Sequence, residues 1–132
     1  MVTAAQCAHT FVRAKVLQLM GWTGKSTGKL NCKSFNVVYA IVCSKENRKL
    51  EYIGETKRIL KFRIDDHRGY VNNSIDTATG SHFTQPGHSL ANLQVTAIEQ
   101  IKKTNDNEYR KEREEYFIRK FNTVNKGINR KY

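Results

Sequence analysis

The sequence predicts an α+β fold in which a small three-stranded antiparallel sheet is flanked by helices. Three observations predict it: an apolar segment that suits a central strand, two further strand-like segments, and two stretches with helical periodicity. They follow one another in the order β, β, α, β, α, which favours helices packed on an antiparallel sheet. The 132 residues are enough to bury one core.

The first two strands are predicted to form a hairpin. VVYAIVC, residues 37–43, is β-branched and apolar on both faces, which is typical of a central strand. SKEN, residues 44–47, has turn composition, and RKLEYIG, residues 48–54, returns as the second strand.

This hairpin brings two tyrosines together. With a four-residue loop, Cys43 pairs with Arg48, and counting outward pairs Tyr39 with Tyr52. Directly opposed side chains on one face of a sheet are close neighbours, so the two hydroxyls converge at the sheet edge. A purely structural aromatic pair is the alternative interpretation, because such pairs also stabilise sheets.

The first helix is predicted at about residues 57–70, within TKRILKFRIDDHRGYV. Its apolar residues recur at helical spacing and define an inward stripe. Arg63 and His67 are four residues apart and lie on that same stripe. Two cationic donors on a face that should be apolar indicate a polar site.

The second half of the chain supplies the remaining elements. A polar, glycine-containing loop runs to about residue 90, LQVTAIEQI at 93–101 alternates like a strand, and residues 107–121 form a strong helix. Glu114 lies on the inward stripe of that helix, with apolar residues three, four and seven positions later. An inward carboxylate needs a cation. The partner is either a metal ion or an arginine, Arg110 or Arg63.

Charge and cysteine content narrow the class of protein. Lys and Arg number 23 against 12 Asp and Glu, a net charge of +11, which favours a polyanionic partner. Three cysteines without a signal-peptide pattern predict an intracellular protein in which disulfides are not expected. No apolar run approaches the roughly 20 residues of a membrane-spanning helix. Residues 1–30 are predicted to be an N-terminal extension with one short helix, and residues 31–132 to be the main domain.

Five segments, in order, resemble the GIY-YIG homing and repair nucleases. They are VVY at 37–39, YIG at 52–54, LKFRIDDH with Arg63 and His67, EREEYFIRKFNT with Glu114, and KGIN ending at Asn129. The resemblance runs from about residue 31 to 131, and only the tyrosine of the first motif is kept. YIGET, SHFTQPGHSL and FIRKFNT resemble the endonuclease domain of Penelope-like retroelements in particular.

The resemblance implies hydrolysis of DNA phosphodiester bonds with one divalent cation. Glu114 would hold Mg²⁺ or Mn²⁺, which prefer oxygen ligands. Tyr39 would orient or deprotonate the attacking water, provided that a cation lowers its pKa, and Arg63 suits that role. Arg63 would also grip the phosphate.

Three more residues receive roles from the same resemblance. Tyr52 and His67 would position the water or the phosphate, with His67 as a proton relay. Asn129 would form a hydrogen bond near the first strand or the substrate and so fix the pocket.

The resemblance to Penelope-like domains also implies a zinc site. Cys43, His82 and His88 supply three ligands with suitable spacing, and Cys32 is the candidate for the fourth. The turn offers Glu46 where a second cysteine is expected. The alternative is that Cys43 is a small apolar strand residue and the histidines are solvated loop groups.

Three functions are therefore compared. The first is a nuclear endonuclease that nicks DNA and comes from a mobile element, where a reverse transcriptase in the same element is its partner. The second is a catalytically inactive DNA-binding module with the same fold, whose affinity falls as salt rises. The third is a structural role in an RNA–protein assembly, for which no RNA-binding aromatic motif is present. The presence of every expected polar residue favours the enzyme.

Overall fold

A three-stranded antiparallel sheet lies at the centre of the computed structural model, which describes residues 7, 10–12, 30–46, 49–102 and 107–132. Strand β1 (Phe35–Cys43) lies between β2 (Lys49–Ile59) and β3 (Leu93–Gln100). The central position of β1 follows from its sequence, because it is buried on both faces. The predicted α+β fold is confirmed.

Helices cover the sheet on both faces. They are α1 (Leu60–Asn72), α2 (Ala78–His82) and α3 (Asn107–Phe121). Helix α1 begins three residues later than predicted, because β2 continues to Ile59. Within the described residues, no helix is long and apolar enough to cross a membrane.

The segment after α1 is more ordered than the predicted loop. It contains α2 and a short 3₁₀ helix, Leu90–Asn92. Helix α2 begins after Thr77, whose hydroxyl oxygen accepts a hydrogen bond from the backbone N–H of Gly80. Five residues are too few for a periodic signal, so the sequence pattern does not reveal this helix.

The two faces of β1 contribute to separate parts of the core. On one face Tyr39, Ile41 and Cys43 pack with α1 and with Phe83. On the other face Val38, Ala40 and Val42, together with Ile53 of β2, pack with Phe117 and Ile118 of α3. The alternation of side chains along β1 therefore decides which residues reach the polar site beside α1.

The predicted register of the hairpin is wrong. Tyr39 pairs with Gly54 rather than with Tyr52, and Cys43 pairs with Lys49. The loop is therefore one residue longer than the four assumed from SKEN. A shift of one residue alone would place the tyrosines on opposite faces.

A β-bulge in β2 places both tyrosines on the same face of the sheet. Val42 pairs with Leu50 and Ile41 with Tyr52, so Glu51 is the extra residue of the bulge. Two shifts of one residue each add up to two, which returns Tyr52 to the face of Tyr39. The tyrosines are diagonal neighbours, with ring centroids 6.4 Å apart.

The described N-terminal residues pack on the same core. Cys7 is buried and forms a disulfide with Cys32, so the expectation that disulfides are absent is wrong. Phe11 forms a parallel bridge with Val95 of β3. The helix predicted near the N-terminus lies mostly outside the described residues, and the domain boundary at residue 30 stays a prediction.

Candidate active site

Gly54 creates the space in which the first site residue sits. It lies opposite Tyr39, and a Cβ on Gly54 would come within 2.5 Å of the Tyr39 Cζ and hydroxyl oxygen. Such a contact is far shorter than van der Waals separation, so a side chain at position 54 would displace the ring. The glycine of the YIG motif therefore allows the Tyr39 ring to lie across the neighbouring strand.

The Tyr39 hydroxyl is the centre of a hydrogen-bond network. Arg63 Nε donates to it at 3.0 Å, and His67 Nε2 lies 2.7 Å away. On the other side of the imidazole, His67 Nδ1 is 2.8 Å from Thr79 Oγ1. The network joins β1, α1 and α2, and it explains why Arg63 and His67 lie on the inward stripe of α1.

The donors in this network can be assigned. Arg63 only donates, so the Tyr39 oxygen accepts from it and the single Tyr39 O–H is available to donate to His67 Nε2. His67 Nδ1–H then donates to Thr79. Burial, followed by the charge of Arg63, lowers the pKa of His67 to about 3, so the imidazole is neutral at physiological pH.

The expectation that Arg63 lowers the pKa of Tyr39 below its ordinary value is wrong. Tyr39 is fully buried, and this burial raises the pKa of its phenol well above the usual range. The nearby charge of Arg63 acts in the opposite direction but is the smaller effect. Tyr39 is therefore a neutral phenol with no exposed surface, and Arg63 lies against its hydroxyl.

Tyr52 is the more accessible of the two tyrosines. It is half-buried, and its ring centroid is 5.6 Å from that of His67. Burial raises the pKa of Tyr52 as well, and Arg63 partly offsets this.

Arg63 connects the buried part of the site to its surface. Besides Tyr39, its guanidinium donates through Nη1 to Asp66 at 3.3 Å and to Tyr70 at 3.4 Å. Its side chain is 25% exposed. A guanidinium held at this depth presents its remaining N–H groups to an anion at the surface.

Glu114, on α3, interacts electrostatically with three of these residues. Its charge acts on both Tyr39 and Tyr52, and the charge of Arg63 acts on Glu114. Burial, and next the charge of Glu55, raise the pKa of Glu114 to about 7.

Among the described residues, neither Arg110 nor Arg63 forms an ion pair with Glu114. Arg110 pairs with Glu55 and donates to Asn36 Oδ1 at 2.8 Å. Within the described ranges, no ion pair or hydrogen bond reaches the Glu114 carboxylate. A half-buried carboxylate with a raised pKa and no arginine partner is suited to bind a cation. Carboxylate oxygens are ligands that Mg²⁺ and Mn²⁺ accept.

Glu114 is one of the residues that line a surface pocket on α3. Charged side chains of α3 and the ring of Tyr132 line it: Glu108, Lys111, Glu112, Glu114, Glu115 and Tyr132. Its acidic lining attracts cations.

Asn129 was expected near the first strand or the substrate, and it forms hydrogen bonds with Ile53 of the second strand, the partner of Ala40 in the first strand. The backbone N–H of Ile53 donates to Asn129 Oδ1 at 2.8 Å, and Asn129 Nδ2 donates to the Ile53 carbonyl at 3.0 Å. β2 is an edge strand, so the buried amide of Asn129 satisfies backbone groups that a further strand would otherwise bond. Ile53 lies between Tyr52 and Gly54, which Asn129 thereby holds in place.

Three of the four expected zinc ligands lie together. One ligand atom from each of Cys43, His82 and His88 can be chosen so that all three lie within 4.8 Å of one another. Cys32 is bonded to Cys7, so its inclusion in the set is wrong. The side chain of Glu46 lies outside the described part of the structure.

Sequence reasoning missed two contributors. Gly54 carried a signal, because correct pairing with Tyr39 requires a residue without a side chain. Thr79 carried none, since it lies in a segment that reads as a polar loop and its contact with His67 arises only from tertiary packing.

The comparison with protein families extends over most of the chain. The model of the GIY-YIG catalytic domain family matches residues 35–129, from β1 to Asn129. No curated protein and no solved structure matched the chain in the corresponding comparisons. The matched range contains the two tyrosines, Arg63 and Glu114. The chain therefore belongs to the GIY-YIG catalytic domain family, whose members are nucleases.

Proposed function

We propose that this protein is a divalent-metal-dependent endonuclease that nicks phosphodiester bonds in DNA. The observation that carries the proposal is the cluster of Tyr39, Tyr52, Arg63 and His67. A carboxylate on a separate helix, Glu114, interacts electrostatically with both tyrosines and with Arg63. The net charge of +11 supports a nucleic-acid partner.

Glu114 is the residue that would hold Mg²⁺ or Mn²⁺. Its carboxylate is half-buried, and burial raises its pKa because it disfavours the negative charge. A bound cation would offset that charge. When bound, the ion supplies Lewis-acid polarisation of the scissile phosphate and charge neutralisation for the leaving oxygen. Side chains of the protein bind the phosphate and position the attacking water.

Arg63 binds the scissile phosphate. Its guanidinium is partly exposed and donates a hydrogen bond to the buried Tyr39 hydroxyl, which limits the motion of the guanidinium. A planar guanidinium forms two parallel hydrogen bonds to phosphate oxygens and stabilises the extra charge of the transition state.

Tyr52 contacts the attacking water, and Tyr39 is a positioning residue. Tyr52 is the tyrosine with exposed surface, whereas Tyr39 is fully buried and contacts Arg63 and His67. The neutral imidazole of His67 accepts the Tyr39 proton in a hydrogen bond, which directs the Tyr39 lone pairs towards Arg63. The buried relay thus fixes the group that holds the phosphate.

Cys43, His82 and His88 are proposed to bind a structural zinc ion. Thiolate and imidazole are preferred zinc ligands, and the three lie close enough for one ion. The site is separate from Glu114, so it has no direct part in cleavage.

The wider biology is proposed from sequence resemblance. YIGET and SHFTQPGHSL resemble Penelope-like retroelements, which supports an origin in a mobile element, action in the nucleus and a reverse transcriptase as partner.

A nicking assay on supercoiled plasmid tests the function. Purified protein with Mg²⁺ or Mn²⁺ should convert supercoiled plasmid to the open circle, and chelation should stop the reaction. Glu114→Gln should abolish nicking, whereas Glu112→Gln, an exposed neighbour on α3, should retain it. An intact plasmid with wild-type protein that still binds DNA would instead support the inactive DNA-binding module.

A further inference from the structure

The β-bulge places a second carboxylate beside the cysteine and histidine cluster. Glu51 is the extra residue of the bulge, and its carboxylate lies 3.3 Å from Lys49 Nζ and 3.1 Å from His82 Nε2. Lys49 is the cross-strand partner of Cys43. The bulge therefore turns Glu51 to the side of the sheet that carries Cys43 and His82.

The Glu51 carboxylate is buried more deeply than its ion pairs account for. Its side chain is 2% exposed, whereas that of Lys49 is 46% exposed. Its Oε1 atom faces Lys49 Nζ at 3.3 Å but has no hydrogen-bond partner among the described residues. A buried carboxylate oxygen without such a partner is costly, and a well-hydrated lysine compensates for it weakly.

We propose that Glu51 is the fourth ligand of the metal ion that Cys43, His82 and His88 hold. The inference rests on the zinc site of the proposed function and supplies the ligand that the cysteine pattern lacks. A thiolate, two imidazoles and a carboxylate form a set that zinc accepts in tetrahedral geometry. In a tetrahedral site, a carboxylate oxygen and an imidazole nitrogen with bonds of about 2.0–2.1 Å lie roughly 3.3 Å apart, near the 3.1 Å between Glu51 Oε2 and His82 Nε2. Glu51 lies outside the group of ligand atoms within 4.8 Å of one another, so its carboxylate would move towards Cys43 and His88 on binding.

Four protein ligands make the site structural rather than catalytic, because no position is left for water or substrate. His82 is the last residue of α2, and Thr79 in the same helix binds His67. A metal ion shared by Glu51, Cys43 and His82 therefore fastens α2 to the β1–β2 hairpin. The metal site would thus support the residue that orients His67.

Cobalt binding offers a direct test on the full chain. With the Cys7–Cys32 disulfide intact, Cys43 is the remaining thiol of the three cysteines, so a thiolate-to-Co²⁺ absorption band reports on this site alone. The protein with Co²⁺ should show this band together with the strong visible absorption of a four-coordinate ion. Zinc should displace the cobalt at one equivalent per chain.

Variants at position 51 identify the ligand. Glu51→Gln should weaken zinc binding by about 10-fold to 100-fold, measured by competition with a chromogenic chelator. Glu51→His, which supplies a nitrogen at a similar reach, should restore binding. Glu99→Gln, a half-buried glutamate on β3 paired with Arg113, is the matched control and should bind zinc like the wild type.

Thermal unfolding provides a second reading. Chelator should lower the Tm of the wild type and of Glu99→Gln, and it should lower the Tm of Glu51→Gln by less. Undiminished zinc affinity in Glu51→Gln would show that Glu51 is only an ion-pair partner and would overturn the proposal. A wild-type chain that binds neither ion would overturn it too. Both outcomes are independent of plasmid nicking, which tests Glu114.

Discussion

At the scale of single residues, the site depends on side chains that burial has moved away from their ordinary chemistry. Glu114 has a raised pKa, His67 has a lowered pKa, and Tyr39 is held as a neutral phenol. Each shift has burial as its largest cause, so the site is preorganised by packing. A divalent cation and a phosphate would supply the charges that this arrangement lacks.

The pH dependence of metal binding follows from Glu114. Its pKa near 7 means that a proton competes with the metal below that pH, so Mn²⁺ affinity should fall up to tenfold per pH unit below 7 and level off above it. Titration of Mn²⁺ from pH 5.5 to 8.5, followed by electron paramagnetic resonance, measures this. A pH-independent affinity would contradict the role of Glu114.

The same carboxyl should affect stability without metal. Because its folded pKa lies above its ordinary value, the destabilisation from this carboxyl is absent below about pH 4.5 and grows as pH rises towards 7. Glu114→Gln should therefore be more stable than the wild type at pH 8 by about 1–2 kcal/mol, after a discount for its partial exposure. Urea unfolding in chelator at pH 8 and pH 4 should show the difference only at pH 8.

Gly54 offers a sharp steric prediction. Gly54→Ala would force its Cβ into the Tyr39 ring, so nicking should fall by at least about 100-fold, since small misplacements of site groups have effects of that size. Gly69→Ala, on α1, is the control. A Cβ at position 69 would have no atom within 4 Å, so this variant should retain activity. Equal activity of the two variants would show that the Tyr39 position is irrelevant to cleavage.

At the scale of elements, the sequence predicted which segments form strands and helices but not how they register. The apolar run of β1 and the periodicity of α1 and α3 are local patterns, and each was correct. The bulge at Glu51 and the longer loop are not local patterns, because they depend on how the strands pair. The tyrosines share a face only because these two deviations offset each other.

In the candidate site, too, some features follow from local sequence patterns and others depend on how distant segments pack. Arg63, His67 and Glu114 were predicted from polar residues on inward helical stripes. The structure joins Arg63 and His67 to Tyr39 by hydrogen bonds, and the charge of Arg63 acts on Glu114. Thr79 and the Asn129 contact to Ile53 depend on long-range packing between segments without periodic patterns. Neither contact follows from spacing along the chain.

Asn129 should stabilise the edge of β2. Asn129→Ala removes both hydrogen bonds to the Ile53 backbone inside a buried site, so the free energy of unfolding should fall by about 1–3 kcal/mol. Asn125→Ala, which loses only an exposed contact to Asn122, should change it by less than about 0.5 kcal/mol. Urea denaturation compares the two, and equal effects would contradict this role for Asn129.

Thr79 should affect cleavage. Thr79→Val removes the hydroxyl that binds His67 Nδ1, and the loss of a hydrogen bond worth about 1 kcal/mol should slow nicking roughly fivefold to tenfold. Thr96→Val is the matched control, since its buried hydroxyl has no hydrogen-bond partner within the described structure. If both variants cleave at the wild-type rate, His67 does not need Thr79.

At the scale of the whole molecule, the charge of the chain determines how it meets its substrate. An excess of basic residues gives long-range attraction to a polyanion, and the acidic pocket beside Glu114 is a local exception suited to a cation. The two features are complementary, because a metal ion in that pocket would remove the repulsion between Glu114 and a phosphate.

The central claim is that Glu114 and Arg63, from two helices, act as one metal-dependent site on a DNA phosphate. Single-turnover nicking of a duplex in Mg²⁺ tests it with the wild type, Glu114→Gln, Arg63→Lys and the double variant. The account predicts cleavage by the wild type, a loss of about 100-fold or more in each single variant, and a double variant scarcely slower than the worse single one. Wild-type rates in Glu114→Gln, or no cleavage by the folded wild type, would contradict it.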